Sequence, residues 1–271
     1  MTKTPTTVAG VILDWAGTVV DFGCMAPAQT FIEAFAGFGI TVTQPQARGP
    51  MGMAKWDHIK SILSLPEITE AWTAKHGAPW TGADVDAIYA AFTPRQAEVV
   101  AQYADPIPGA LDTVAWLRGR GIKIGSTTGY PRLVMDQLTP VAKAKGYEPD
   151  SMACAGETRL GRPYPFLIYK QLLELELSPT WACVKVDDTG VGVAAGRNAG
   201  LWSVGVAATG NGVGITHADW LALSPGEQEA LRAKAADPLV EAGAHYVIDG
   251  LGNLPGVIED IEARLAKGER P

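Results

Sequence analysis

Short runs of β-branched and apolar residues alternate with helical patterns along most of the chain, and this alternation constrains the fold more than any other feature. It is typical of β-α units that build a parallel sheet covered by helices on both faces. The runs predict strands at Val8–Asp14, Ile122–Thr128, Met152–Cys154, Ala182–Asp187, Trp202–Val206 and Tyr246–Ile248. The patterns between them predict helices at Gly109–Arg120, Arg132–Lys145, Tyr164–Leu175 and Gly190–Asn198, and another after a capping serine, Ser224.

One segment interrupts this alternation, because residues 22–104 separate the first predicted strand from the second. Ordinary connections in β-α units are far shorter. The segment carries helical patterns at Pro27–Phe38, Lys55–Leu63, Ile68–Lys75 and Ala83–Val100. We therefore predict an α/β fold in which residues 1–21 and 105–271 form a Rossmann-like parallel sheet core. Residues 22–104 are predicted to form an inserted, all-helical cap domain.

Asp14 ends the first predicted strand and is followed by a sharp departure at Gly17-Thr18. In open parallel sheets, ligands bind at the carboxyl ends of the strands, where Asp14 falls. A carboxylate at this position could attack phosphorus and form an acyl phosphate. An aspartate that only caps a turn would give the same short pattern, so Asp14 alone does not decide the function.

Three further segments place chemically active residues at strand or loop ends. Thr128-Gly129 ends the second strand with a hydroxyl that suits hydrogen bonds to phosphate oxygens. Arg162 provides a permanent cation just before a helix, where phosphate groups are held well. Asp187-Asp188 ends a later strand, and carboxylates from two strand ends suit Mg²⁺. Each feature by itself is also common in ordinary turns and on surfaces.

In the order acid, hydroxyl, cation and acid, these segments resemble the four motifs of the haloacid dehalogenase superfamily, with the cap inserted after the first. The resemblance covers nearly the whole chain. It implies that Asp14 is the nucleophile and that Thr128 and Arg162 hold the phosphoryl group. It also implies that Asp188 binds Mg²⁺.

Two departures narrow the resemblance to the phosphonatase family, whose members hydrolyse phosphonoacetaldehyde. Phosphatases of the superfamily typically carry a general acid two residues after the nucleophile, where this chain has Ala16. Asp14-Trp-Ala-Gly-Thr is the phosphonatase form of the motif, which implies that the backbone carbonyl of Ala16 is a metal ligand. The segment from Met51 to His58 resembles the phosphonatase cap segment that carries a Schiff-base lysine, here Lys55.

A Schiff base explains how a phosphorus–carbon bond beside an aldehyde can be cleaved. Direct cleavage would expel a carbanion, whereas an iminium formed with Lys55 allows an enamine to leave. Lysine serves this role when its pKa is lowered. Lys55 and His58 are three residues apart on a predicted helix, so His58 is expected to shuttle the proton. Tyr130, Cys24 and Met51 match residues that line the phosphonatase site, although apolar packing also explains them.

Some questions stay open at the level of sequence. Members of the superfamily often carry an acid four residues after the metal ligand, where this chain has Gly192, and Asp187 is a possible substitute. A phosphomonoesterase or phosphoglucomutase is the second enzyme hypothesis, and the missing acid at Ala16 opposes it. A catalytically silent binding protein is opposed by the intact acids and the cap lysine.

The composition argues against several classes of partner. A net charge of −7 without a basic cluster argues against nucleic acid. No apolar stretch reaches the roughly 18 residues that a membrane span needs. Three cysteines without a CxxC pair indicate a reducing cytoplasm. We expect a cytoplasmic enzyme acting on a small molecule, and the family resemblance implies a homodimer.

Overall fold

The centre of the molecule is a six-stranded sheet in which every neighbouring pair of strands is parallel. This computed structural model describes residues 6–271. The strands are β1 (Gly10–Leu13), β2 (Lys123–Pro131), β3 (Ser151–Ala155), β4 (Cys183–Asp187), β5 (Trp202–Val206) and β6 (Tyr246–Ile248). All six predicted strands are confirmed, and with them the α/β fold class.

The strand order, β3-β2-β1-β4-β5-β6, reverses direction at the centre of the sheet. From β1 the chain builds outward through β2 and β3, and it then returns to place β4 on the other side of β1. A crevice opens at such a switch point, outside the carboxyl ends of the two central strands. Asp14 directly follows β1 and Asp187 ends β4, so the topology brings both acids to this crevice.

Five of the helices between β1 and β2, all before residue 100, form a small bundle. They are α1 (Met25–Gly37), α2 (Gln44–Arg48), α3 (Lys55–Leu63), α4 (Pro66–His76) and α5 (Gly82–Val99). Phe31, Ile59 and Phe92 belong to an apolar cluster enclosed by these helices, separate from the cluster around the sheet. The bundle therefore has its own hydrophobic core. Of the five helices, α2 was not predicted, because five residues are too few to show a helical period.

The remaining helices cover the sheet. They are α6 (Ala110–Gly119), α7 (Arg132–Ala144), α8 (Phe166–Glu174), α9 (Gly190–Asn198), α10 (His217–Ala222), α11 (Pro225–Glu241) and α12 (Leu254–Ala266). The predicted start of α11 is confirmed, since the Ser224 hydroxyl accepts from the Glu227 N–H and the Glu227 carboxylate accepts from the Ser224 N–H. Across residues 6–271, no helix combines the length and the apolarity that crossing a bilayer requires.

Candidate active site

A small pocket lies between the carboxyl ends of the central strands and the inserted helices. Its walls are formed by Asp14, Ala16, Cys24, Pro27, Met51, Gly52, Lys55, Thr128, Gly129, Tyr130, Arg162, Asp188 and Thr189. Every site residue predicted from the sequence lines this pocket except His58. Because these residues come from six separate stretches of the chain, the pocket exists only in the folded protein.

Asp14 is held at the floor of the pocket by the two central strands. Its N–H donates to the Val186 carbonyl oxygen at 3.0 Å, which extends the pairing of β1 with β4. Burial, followed by the nearby charge of Asp187, raises the pKa of Asp14, and Arg162 opposes this effect. Gly17 follows with a φ of +80°, and a Cβ there would lie 2.2 Å from an Asp188 carboxylate oxygen. Only glycine therefore permits this close approach of the two acidic loops.

Arg162 connects several parts of the sheet edge through one guanidinium nitrogen. Its Nη2 donates to Asp14 Oδ1 at 2.6 Å and to the Thr127 carbonyl oxygen at 2.7 Å. The same nitrogen lies 3.2 Å from Asp187 Oδ2. Among the described residues its Nε has no hydrogen-bond partner, although it is buried. Sequence reasoning missed Thr127, since a threonine beside the predicted Thr128 carries no separate signal.

Three buried carboxylates converge at the crevice. Asp14, Asp187 and Asp188 each place an oxygen within 4.8 Å of the others. Asp188 Oδ2 also accepts from the Asn211 N–H at 2.7 Å. Burial, followed by the charges of Asp14 and Asp187, raises the pKa of Asp188 well above its usual range. Hard oxygen ligands of this kind are those that divalent cations such as Mg²⁺ prefer, so the cluster could hold a metal ion.

The two acids of the Asp187-Asp188 pair have different surroundings. Asp188 lines the pocket, whereas Asp187 does not. Asp187 Oδ2 lies 2.8 Å from Nζ of Lys185, a fully buried lysine of β4, and Oδ1 accepts from the Thr189 hydroxyl at 2.7 Å. Burial would raise the pKa of Asp187, but Arg162 and Lys185 together hold it below its usual range. Lys185 was not predicted, although a lysine inside an otherwise apolar strand was a usable signal.

Lys55, the first residue of α3, brings an amine into the pocket from the cap side. The residue is 4% exposed, and its Nζ lies 5.3 Å from the ring centre of Phe31 and 5.0 Å from that of Tyr130. Within residues 6–271 Lys55 forms no ion pair. Burial lowers the pKa of Lys55 to about 8, and the nearby Cys24 and Asp14 oppose a larger change. A substantial neutral fraction of this amine is therefore present near neutral pH.

His58 lies one helical turn after Lys55 and does not reach the pocket wall. Its Nε2 is 2.9 Å from the Ala47 carbonyl oxygen, which assigns the proton to that nitrogen, and its ring packs 3.8 Å from the ring centre of Phe31. Burial, followed by the charge of Lys55, lowers the pKa of His58 well below its usual range. Nδ1 is buried without a partner among the described residues. The role of His58 in proton transfer stays a prediction.

The other predicted residues form the pocket walls. Thr128 Oγ1 accepts from the Tyr130 N–H at 3.1 Å, within the last part of β2, where the pairing with β3 shifts in register. The Tyr130 hydroxyl is buried with no partner among the described residues. Burial raises the pKa of the Cys24 thiol well above its usual range, so that Cys24 and the buried Met51 provide neutral, apolar walls.

The comparisons with known proteins agree with one another. A family model of haloacid dehalogenase-like hydrolases matches residues 8–200. A phosphonoacetaldehyde hydrolase of Paraburkholderia xenovorans (strain LB400) is 49% identical over 264 residues, which cover 97% of this chain and 99% of the relative. One of Klebsiella pneumoniae subsp. pneumoniae is 49% identical over 266 residues, with the same 97% and 99% coverage. The crystal structure of a phosphonoacetaldehyde hydrolase-like protein of Oleispira antarctica has a TM-score of 0.96 at 43% identity, and 100% of each chain is covered.

A parallel sheet with a strand-end aspartate, a buried arginine and a second acid defines a hydrolase of the haloacid dehalogenase class. The chain belongs to the haloacid dehalogenase-like hydrolases and, within them, to the phosphonoacetaldehyde hydrolase family. The family predicted from Ala16 and from the cap segment around Lys55 is therefore confirmed. The protein is an enzyme rather than a silent binding protein of the same fold.

Proposed function

We propose that this enzyme hydrolyses the phosphorus–carbon bond of phosphonoacetaldehyde and releases acetaldehyde and phosphate. One observation carries the proposal: Lys55, an amine whose pKa is lowered to about 8, lines the same pocket as the carboxylate of Asp14. Attack on a phosphate ester needs a carboxylate but no amine, whereas an aldehyde substrate gives the amine a function. The names of the relatives support the same substrate.

The first step is condensation of the neutral Lys55 amine with the aldehyde carbon. Nζ adds to the carbonyl, water leaves, and protonation gives an iminium. With a pKa of about 8, roughly one lysine in ten is neutral at pH 7. An unperturbed lysine would be neutral in fewer than about one molecule in a thousand, so burial makes this step accessible.

Cleavage of the phosphorus–carbon bond follows on the sheet side of the pocket. A carboxylate oxygen of Asp14 bonds to phosphorus, and the electron pair of the phosphorus–carbon bond moves toward the iminium nitrogen to form an enamine. Arg162, 2.6 Å from Asp14, supplies positive charge beside the phosphoryl oxygens, and Thr128 supplies a hydroxyl donor. The product on this side is an acyl phosphate on Asp14.

Hydrolysis of both covalent adducts completes the cycle. The enamine takes a proton at its terminal carbon, and water releases acetaldehyde from Lys55. A second water cleaves the acyl phosphate, so that phosphate leaves and Asp14 is regenerated. His58 is the proposed proton carrier, and its buried, unpartnered Nδ1 supports a contact through water. One water is consumed in total, because the first step releases one.

A Mg²⁺ ion fits the acid cluster, and we propose Asp14, Asp188 and the backbone carbonyl of Ala16 as its ligands. The fit rests on three buried carboxylates whose oxygens lie within 4.8 Å of one another, where burial and then the charges of Asp14 and Asp187 raise the pKa of Asp188. A divalent cation would favour the ionised form of these acids. When bound, Mg²⁺ supplies charge that stabilises the phosphoryl oxygens.

The proposal has three further parts, a cap domain, a cytoplasmic location and the homodimer that the family resemblance implies. Residues 22–104 act as a cap over a core made of residues 1–21 and 105–271, and their separate apolar clusters support this division. The enzyme works in the cytoplasm, where its three buried cysteines stay reduced. The assembly is a homodimer, which light scattering of the purified enzyme would show as two chains per particle.

The direct test is incubation with phosphonoacetaldehyde and Mg²⁺, with acetaldehyde and phosphate measured together. We expect both products in equal amounts. Borohydride added with the substrate should reduce the Schiff base, and peptide mass mapping should find the adduct on Lys55. An adduct on another lysine, or none, would refute the role of Lys55.

Substrate preference separates this proposal from the phosphomonoesterase hypothesis. An alkoxide leaving group needs a proton donor, and the position that would supply it is occupied by Ala16, which lines the pocket. The wild type should therefore hydrolyse p-nitrophenyl phosphate and sugar phosphates poorly. A kcat/KM that favours the phosphate esters over phosphonoacetaldehyde would replace our proposal with the esterase hypothesis.

A further inference from the structure

Asp187 is the one member of the buried acid cluster that does not line the pocket. It is fully buried, and both of its oxygens are already engaged. Oδ1 accepts from the Thr189 N–H at 3.1 Å and from the Thr189 hydroxyl at 2.7 Å. Oδ2 lies at ion-pair distance from Arg162, 3.2 Å, and from Lys185, 2.8 Å, although among the described residues it accepts no hydrogen bond. These contacts direct the carboxylate toward two cations.

Lys185 completes a continuous chain of alternating charges. It is fully buried in β4, and its Nζ also donates to the Val186 carbonyl oxygen at 3.1 Å. The order in space is Lys185, Asp187, Arg162 and Asp14, with each neighbouring pair at ion-pair distance. A buried lysine is stable in the charged form only beside an anion, and Asp187 is its ion-pair partner. Asp187 in turn orients the guanidinium that contacts Asp14.

Gly192 shows how closely the Asp187 carboxylate is packed. A Cβ built at Gly192, in the first turn of α9, would lie 2.0 Å from the Asp187 carboxyl carbon and 2.1 Å from both of its oxygens. No real side chain tolerates such a distance, so the carboxylate occupies the space that a side chain at position 192 would fill. A carboxylate could therefore enter this space either from β4 or from α9.

We propose that Asp187, with Lys185 as its counter-ion, is a positioning residue that holds Arg162 against Asp14, and that it is not a metal ligand. This inference rests on the proposed function, in which Arg162 holds the phosphoryl group. If it is correct, a carboxylate must occupy this space, but the residue that carries the carboxylate can be either 187 or 192. Positions 187 and 192 should then be exchangeable.

Three variants that keep the net charge test this inference. Gly192→Ala inserts a methyl group where the Asp187 carboxylate lies, without altering any charge. The double variant Asp187→Gly/Gly192→Asp moves the carboxylate from the strand to the helix. Gly190→Ala is the matched control in the same helix. The nearest atom to its Cβ would be the Pro238 carbonyl oxygen, at 3.1 Å, and not the Asp187 carboxylate. For each, calorimetry gives the Kd for Mg²⁺ and, at saturating Mg²⁺, the Kd for inorganic phosphate.

We expect Gly192→Ala to weaken phosphate binding and kcat/KM by roughly 10- to 100-fold, the usual range for residues that orient a ligand-binding group. Its Kd for Mg²⁺ should stay within about twofold of wild type, since Asp14 and Asp188 are untouched. The double variant should recover phosphate binding to within about tenfold of wild type. Gly190→Ala should behave as wild type.

Three results would overturn the inference. A Kd for Mg²⁺ that rises in parallel with the Kd for phosphate would make Asp187 a metal ligand. Unchanged phosphate binding in Gly192→Ala, or a double variant that binds phosphate as weakly as Gly192→Ala, would remove its positioning role. If thermal unfolding shows that Gly192→Ala does not fold, the phosphate Kd of the double variant is compared with that of wild type instead. A double variant that binds phosphate more than about tenfold more weakly than wild type would then overturn the inference. A wild type that binds Mg²⁺ and phosphate but does not cleave phosphonoacetaldehyde would refute the proposed function alone.

Discussion

The two sides of the pocket differ in whether their buried charged groups have ion-pair partners. On the sheet side, Asp14 and Asp187 face Arg162 and Lys185 at distances between 2.6 and 3.2 Å. On the cap side, Lys55 is equally buried but has two aromatic rings within 5.3 Å and no ion-pair partner in the described part of the chain. The pKa of Asp187 falls below its usual range, whereas that of Lys55 falls to about 8.

The comparison of these pKa values shows that burial alone does not determine whether a group is charged. Ion pairs oppose the loss of charge that burial causes: two cations overcome burial at Asp187, whereas at Asp14 Arg162 opposes burial and the charge of Asp187 without overcoming them. Lys55 has no such partner among the described residues, and its neutral form becomes accessible. The proposed reaction requires both outcomes in one pocket, an ionised carboxylate to attack phosphorus and a neutral amine to attack the aldehyde. The amine belongs to the inserted segment, so this segment supplies the surroundings in which a neutral amine is accessible.

Removing the proposed nucleophile should have the largest effect. Asp14→Ala deletes the group proposed to attack phosphorus and one proposed metal ligand, so we expect kcat to fall by at least about 10⁴-fold, without rescue by added Mg²⁺. Asp105→Ala, which removes a surface partner of Lys145, is the control and should keep full activity. An active Asp14→Ala enzyme would contradict the proposed role of Asp14 as nucleophile. Full wild-type activity in excess chelator would contradict the proposed requirement for Mg²⁺.

Lys55→Arg tests whether the cap side needs a neutral amine or only a cation. Guanidinium stays protonated and cannot condense with an aldehyde, so activity should fall on the order of 10³-fold or more, as in Lys55→Ala. Lys60→Arg, an exposed change on the same helix, should have no effect. Steady-state kinetics decide the question, and substantial activity in Lys55→Arg would mean that the lysine acts only through its charge.

The pH dependence of kcat/KM should show the lowered pKa of Lys55. Since Lys55 reacts in its neutral form in the proposed mechanism and its pKa is about 8, kcat/KM should rise as pH increases through 8 and then level off. Between pH 6.5 and 7.5 the rise should be roughly eightfold. A profile of log kcat/KM against pH measures this, and a flat line from pH 6.5 to 8.5 would mean that the lysine does not titrate in this range.

The smallest effect is expected for the ring beside the amine. Tyr130→Phe keeps the ring 5.0 Å from Lys55 and removes a hydroxyl that has no partner in residues 6–271, so kcat/KM should change by less than about threefold. Tyr130→Ala admits water and should move the rising limb of the pH profile toward the ordinary lysine pKa. A large loss in Tyr130→Phe would show that the hydroxyl takes part in the reaction.

Much of the fold could be predicted, because parallel strands covered on both faces must be apolar over their whole length. The six strands and the long helical insertion follow from this pattern. Three helices were not predicted. α2 and α10, with five and six residues, are too short to show a helical period. α12 is long enough to show one, because it buries Leu254, Ile258 and Ile261 at helical spacing. The strand order could not be predicted from these local patterns, because they do not identify each strand's neighbours.

Local sequence motifs identify most of the chemical groups in the pocket. Asp14, Asp188 and Lys55 belong to short local motifs, and strand ends converge in any parallel sheet, so their meeting could be expected. Their protonation states depend on the folded arrangement. In residues 6–271, folding pairs Asp187 with Lys185, keeps His58 off the pocket wall, and gives Lys55 no ion-pair partner. The reason is that desolvation and ion pairing depend on neighbours brought from distant parts of the chain, whereas the chemical type of a residue does not.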